Sequence, residues 1–233
     1  MPRRFILWDI DGTLLTTGPV GRLAIESGAR LVTGLDELPH VVMSGKTDPQ
    51  IVREILSSAG VPHREIDEVL PRALEESERF LEHEGQRMRS EGRVHPGVAD
   101  LLEALSTTIS VRQSLLTGNI APNAYLKVHA FGLEHFLDLP IGAYGTDHAD
   151  RNLLVPFALR RVRELRGEDY RPDEVWVIGD TANDLSCARA GGVRCLIVGT
   201  GHDGFDAVQD LEADAVLEDL SDTELVLKIL LAS

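Results

Sequence analysis

Phe5-Ile6-Leu7-Trp8-Asp9-Ile10-Asp11-Gly12-Thr13-Leu14 is the stretch that decides how this chain is read. Four apolar residues run into two carboxylates spaced two apart and then a glycine, the pattern of a buried strand that ends in a loop. Alternate residues of a strand share a face, and a turn at Gly12 lets the second carboxylate swing round beside the first. Adjacent carboxylates disfavour each other's ionised form unless a cation sits between them or a proton is shared. The stretch therefore asks for a divalent metal. A calcium loop opening at Asp9 would need a bidentate Glu at its twelfth position, where the chain has Val20, and a helix in front of it instead of an apolar strand. That alternative fails. A plain turn stays open on this stretch alone, and the rest of the chain must decide.

The chain has 233 residues, long for one compact domain and short for two full ones, which suits a core carrying an inserted module. Its 43% hydrophobic content can fill a core, and its formal net charge of -15 argues against nucleic acid or an anionic membrane as partner. An acidic protein that binds an anion must make positive potential locally, from a metal, helix N-termini and a few cations. Cys187 and Cys195 are the only cysteines and lack CxxC spacing, so free thiols in a reducing compartment are expected. The start Met1-Pro2-Arg3-Arg4 is followed by only four apolar residues before Asp9, which reads as neither signal peptide nor membrane span. A cytoplasmic monomer or homodimer is the expectation.

Further along, Val20 to Val32 reads as a helix stopped by Gly34, and Asp48-Pro49 as an N-cap and N1 proline opening a second. A third helical region spans about Glu65 to Glu91, with a break expected at Pro71. Residues 16–93 show no convincing strand and read as a helical module, inserted into a core made of residues 1–15 and 94–233. From Val94 onward strands and helices alternate: strand candidates at Ser110 to Leu116, Leu139 to Ala143, Val175 to Ile178, Val193 to Val198 and Ala215 to Leu217, and Ser221-Asp222-Thr223-Glu224 as a capping box. Alternation predicts an α/β fold, a Rossmann-like parallel sheet with right-handed crossovers.

Three apolar strands thus end in polar signatures: Asp9-Ile10-Asp11-Gly12-Thr13, Thr117-Gly118-Asn119 and Gly179-Asp180-Thr181-Ala182-Asn183-Asp184. Ligands of a doubly wound sheet bind outside the carboxyl ends of its strands, so signatures far apart in sequence can converge there. In this order they resemble the motifs of the haloacid dehalogenase-like hydrolase superfamily, over residues 5 to about 200. The helical module places the chain near the phosphoglycolate phosphatase and beta-phosphoglucomutase branch, whose helical cap lies between the first and second motifs. The first and last motifs are specific; the Thr motif is less so. The resemblance implies Asp9 as nucleophile, Asp11 as general acid and base, Thr117 with Gly118 and Asn119 as phosphate binders, and Mg²⁺ held by Asp9, Asp11 and Asp180 with Asp184 in support. It also implies a small phosphorylated metabolite as substrate. Hydrolysis is the first reading, a phosphomutase the second and a haloacid dehalogenase a weaker third, because dehalogenases of this superfamily do not keep the second acid.

The chain departs from the family's pattern at the third motif, which normally carries a Lys. The only lysines are Lys46, Lys127 and Lys228, and Arg151, just before a helix, is the best substitute. It keeps the charge but presents a planar fork in place of a point charge. Within the cap, Met43-Ser44-Gly45-Lys46-Thr47-Asp48 resembles the branch's specificity loop, with a glycine for close approach and Lys46 as the cap's one lysine for substrate contact.

Overall fold

The computed structural model describes residues 3–232, so Met1 and Pro2 of the basic start lie outside it. Strand β1 (Arg4–Trp8) is buried along its whole length, and its residues alternate between two cores. Ile6 and Trp8 face a cluster with Leu115, Trp176 and Leu196; Phe5 and Leu7 face one with Leu116, Val177 and Cys195. Each fully buried Leu or Ile contributes about 1.5–3 kcal/mol. A strand apolar on both faces belongs in the middle of a covered parallel sheet. It sits there, in the order β5-β4-β1-β6-β7-β8, with β4 Val111–Thr117, β5 Ala143–Tyr144, β6 Val175–Gly179, β7 Arg194–Val198 and β8 Ala215–Leu217. All ladders of this sheet are parallel, with Leu7 opposite Ser114 on one side and Val177 on the other. The chain leaves β1 for β4 on one side and returns to β6 on the other, so the crevice of a switch point opens at the end of β1.

Three helices cover one face: α5 (Val98–Ser106), α6 (Ala121–Ala130) and α9 (Thr223–Leu231). The other face is covered by α7 (Val155–Arg166) and α8 (Ala182–Ala190). The strand expected at Leu139 to Ala143 is mostly a 3-10 turn, Leu139–Ile141, leaving two residues for β5. Cys187 and Cys195 are buried free thiols. No helix among the described residues is long and apolar enough to cross a membrane.

Between β1 and β4 lie α1 (Val20–Thr33), α2 (Asp48–Ser58), α3 (His63–His83) and α4 (Gly85–Glu91), with a core of their own around Ile25, Val52, Ile55 and Leu70. The break expected at Pro71 falls instead at Glu84, because α3 runs through Pro71. Sequence reasoning also missed a short antiparallel ribbon: β2 (Leu15–Thr16) pairs with β3 (Arg93–Val94) where the chain enters and leaves the helical module.

A second correction concerns Asp48. The N-cap of α2 is Thr47, whose hydroxyl accepts from Gln50 N, and Asp48 is the first helical residue. Its carboxylate reaches into the core, accepting from Ile120 N at 2.9 Å and Asn123 Nδ2 at 3.2 Å; Asn123 also donates to Ser77 of α3. Burial pushes the Asp48 carboxyl up to about 6, against the pull of Lys127. A carboxyl raised on folding stabilises the folded state most when protonated, below about pH 4, and that contribution is lost as pH climbs through 6. We expect Asp48→Asn to gain about 3 kcal/mol relative to the wild type between pH 4 and 7, from a shift of two units at 1.36 kcal/mol each. Denaturant melts of metal-free protein across that range check it; parallel pH profiles would refute it.

Candidate active site

Asp9 follows the last residue of β1 and keeps the ladder going, its N–H donating to Ile178 O at 2.9 Å. Asp180 follows β6 directly, and Asp184 lies in the first turn of α8. The helix start is specified locally: Thr181 caps it, and Asp184 Oδ2 accepts from Thr181 N at 3.0 Å and from its hydroxyl at 2.6 Å. One oxygen from each of Asp9, Asp180 and Asp184 lies within 4.8 Å of the others, and all three residues are buried.

Three like charges so close repel by roughly 3 to 4 kcal/mol per pair at an effective dielectric of 20. Their environment answers with one cation, Arg151, 5% exposed at the start of the 3-10 turn Arg151–Leu153, which Asp150 caps. Its Nη2 meets Asp9 Oδ1 at 3.1 Å and pairs with Asp184 Oδ1. Burial works against the guanidinium charge, but Asp184 and Asp9 outweigh it and hold it above its ordinary value. Burial pushes Asp9 up to about 6, with Arg151 pulling it down and Asp184 and Asp11 adding to the rise. Asp180 stands well above the carboxylate range, from burial first and then Asp184 and Asp9, against a hydrogen bond from Thr13 Oγ1 at 3.1 Å. Three carboxylates and one guanidinium leave two formal negative charges, which fits a divalent cation.

The backbone is shaped for the same centre. A Cβ on Gly12 would lie 2.2 Å from Asp180 Oδ2, one on Gly201 2.0 Å from the same oxygen, and one on Gly179 2.0 Å from Asp184 Cγ. Gly12 also has φ +89°, a conformation that a side chain resists. Thr200, another residue the sequence reading missed, fixes this turn by donating from Oγ1 to Gly12 O at 2.6 Å.

The Asp11 side chain stands apart from the three clustered acids. Its Oδ2 accepts from Lys127 Nζ at 2.6 Å and Asn119 Nδ2 at 2.8 Å. Sequence reasoning passed over Lys127, yet a signal was present: Asn123 and Lys127 are one turn apart on α6, and helical side chains lean back toward the N-terminus, here toward the end of β4. Thr117 Oγ1, fully buried, accepts from Asn119 Nδ2 at 2.9 Å, and Gly118 gives its carbonyl to Asp48 N at 2.8 Å. Lys46 pairs with Glu54 of the same helical module, so its charge is already partnered there.

A family model described as haloacid dehalogenase-like hydrolase matches residues 6–189. A phosphoglycolate phosphatase of Thiobacillus denitrificans is 24% identical over 230 residues, covering 97% of this chain and 96% of that protein. One of Nitrosospira multiformis is 27% identical over 235 residues, covering 98% and 97%. Among solved structures, beta-phosphoglucomutase of Clostridium difficile aligns with TM-score 0.70 at 14% identity, over 99% of this chain and 97% of that one. CbbY of Rhodobacter sphaeroides, in complex with phosphate, aligns at 0.61 and 20%, over 95% and 96%. At such identities the structures speak for the fold alone.

The glycine cradle gives a test of the acidic centre. Gly12→Ala should push the Asp180 carboxylate aside and weaken Mn²⁺ or Mg²⁺ binding by about tenfold or more, worth 1.4 kcal/mol or more, with an unchanged circular dichroism spectrum. Calorimetric titration with the metal alone reads this, and wild-type affinity in the variant would count against the cradle.

Proposed function

The chain belongs to the haloacid dehalogenase-like hydrolase family, and from that premise we propose that it is a Mg²⁺-dependent phosphatase. It hydrolyses a small phosphorylated metabolite of the phosphoglycolate or sugar-phosphate kind, in the cytoplasm. The observation that carries this reading is the unequal surroundings of the two acids after β1. Asp9 is buried in the cluster with Asp180, Asp184 and Arg151, while Asp11 lies outside it on Lys127 and Asn119, with its side chain 43% exposed. Two carboxylates held in different environments are suited to different tasks.

In this mechanism an Asp9 oxygen attacks phosphorus as the ester oxygen leaves, giving an aspartyl phosphate and splitting one hard displacement into two. Asp11 supplies the proton to the leaving oxygen. It then takes a proton from the water that attacks the phosphorylated Asp9, which releases phosphate and restores the carboxylate. Such acid–base help contributes typically ~10² to 10⁴-fold. Lys127 and Asn119 both hold Oδ2 of Asp11, leaving Oδ1 for the proton transfer. Asp9, Asp180 and Asp184 would hold Mg²⁺, which neutralises phosphate charge during transfer. Arg151 adds a cation beside the nucleophile, and its Nε is buried without a partner. An unpaired buried donor costs roughly 1–3 kcal/mol, so that N–H is ready for a phosphate oxygen. Thr117 and neighbouring backbone N–H groups complete the cradle.

The phosphatase reading is favoured over a phosphomutase because the relatives alike over nearly the whole sequence are named phosphoglycolate phosphatase. A dehalogenase gives Asp11 no task. Release of inorganic phosphate from a panel including 2-phosphoglycolate and glucose 1-phosphate, without any bisphosphate activator, tests the proposal. Conversion to an isomeric phosphate that requires the bisphosphate would make it a mutase. Asp9→Asn should lower turnover by about 10³-fold or more with the melting temperature little changed, since the amide is nearly isosteric but a poor nucleophile. EDTA should abolish phosphate release and Mg²⁺ restore it; chelated protein working at full rate would remove the metal from the mechanism.

A further inference from the structure

We propose that Arg151 is a positioning residue that ties docking of the helical module to the nucleophile, with the carbonyl of Gly45 as its second anchor. The guanidinium fork is shared between two parts of the molecule. Nη2 holds Asp9 and Asp184 of the core, and Nη1 donates to Gly45 O at 3.2 Å in the loop before α2. The same side chain therefore touches the attacking carboxylate and the module that covers it. A lysine carries the charge but has one nitrogen, and it cannot span both sides in this geometry.

The seam around this contact is built for close approach. Gly45 has φ +69°, and a Cβ there would lie 2.6 Å from both Asn183 Nδ2 and Thr181 Oγ1. Across the seam, a Cβ on Gly118 would lie 2.1 Å from Lys46 O. With both positions bare, Asn183 Nδ2 donates to Ser44 O at 3.3 Å, Thr47 Oγ1 to Ala149 O at 2.7 Å and Asp48 N to Gly118 O at 2.8 Å. The loop 44–48 thus meets the segment after each of β4, β5 and β6. Of these contacts, the one at Gly45 O reaches a side chain that touches Asp9. When the loop lifts, Arg151 loses the hydrogen bond that fixes Nη1, and its orientation against the nucleophile rests on the pairs of Nη2 with Asp9 and Asp184 alone. Docking then orients Arg151, and Arg151 in turn favours docking, since coupling between two sites is reciprocal.

This inference rests on the phosphatase reading for its catalytic consequence, but its structural half can be measured without turnover. Amide hydrogen exchange of residues 44–48 should quicken by about fivefold or more in Arg151→Lys, because the loop loses a core anchor. Unchanged exchange would overturn the proposal, whatever the activity. With p-nitrophenyl phosphate, whose small leaving group asks nothing of a specificity loop, Gly45→Ala and Arg151→Lys should each lower kcat by about tenfold or more. The double variant should be no worse than the more severe single one, since both cut the same link. Losses that multiply would mean two independent roles and would also overturn it. If no phosphate ester is turned over by the wild type while exchange still quickens, the phosphatase reading falls and the coupling stands.

Discussion

The rest of the structure answers to the cost of burying three carboxylates side by side. Asp9 comes from one strand end, and Asp180 and Asp184 from a strand-to-helix turn about 170 residues later in the chain. They meet only because β1 and β6 lie side by side in parallel register. The apolar strands on both faces fix that register, and a slip by one residue would turn every side chain to the opposite face. The core's packing therefore supplies the position, and Arg151 supplies one positive charge that makes it tolerable, leaving two formal negative charges for the divalent cation proposed above.

The same economy explains the different fates of the two acids after β1. One backbone turn, with Gly12 in the left-handed region, sends Asp9 inward and Asp11 to the rim. Inward, desolvation and like charge dominate; at the rim, Lys127 and Asn119 hold the carboxylate while it keeps contact with water. The two acids thus differ in burial and in partners, which is the difference the proposed division of labour rests on.

Much of this was legible in the sequence, for identifiable reasons. The strands around Ile6 and Val177 are short apolar runs that stop at polar signatures, and their convergence followed from the rule for strand ends. Asp180 and Asp184 fell in one polar signature at a strand end, and Arg151 as the substitute cation rested on its place before a helix. The illegible parts depend on tertiary contacts. Lys127 lies on a helix that looked ordinary, and its target is set by how α6 leans on β4. Lys46, read as a substrate contact, has a partner the sequence did not reveal, Glu54 in the following helix. Pro71 looked like a break, yet α3 carries it, because packing of an apolar face outweighs the loss of one backbone hydrogen bond. The two-residue ribbon of β2 and β3 was too short to leave any periodic trace.

That ribbon has a consequence for how such a protein could have been assembled. Leu15 pairs with Val94 and Thr16 with Arg93, so the helical module hangs from two neighbouring points that are already stitched together. Closing a loop costs chain entropy only to bring its ends near each other, and the cost grows slowly with length. Here the ends are held together by the core's own backbone, so the length and content of what lies between weigh little on the fold beneath. The module is in this sense a cassette: it could grow, shrink or be exchanged whole without reopening the sheet whose strand ends carry the acidic centre.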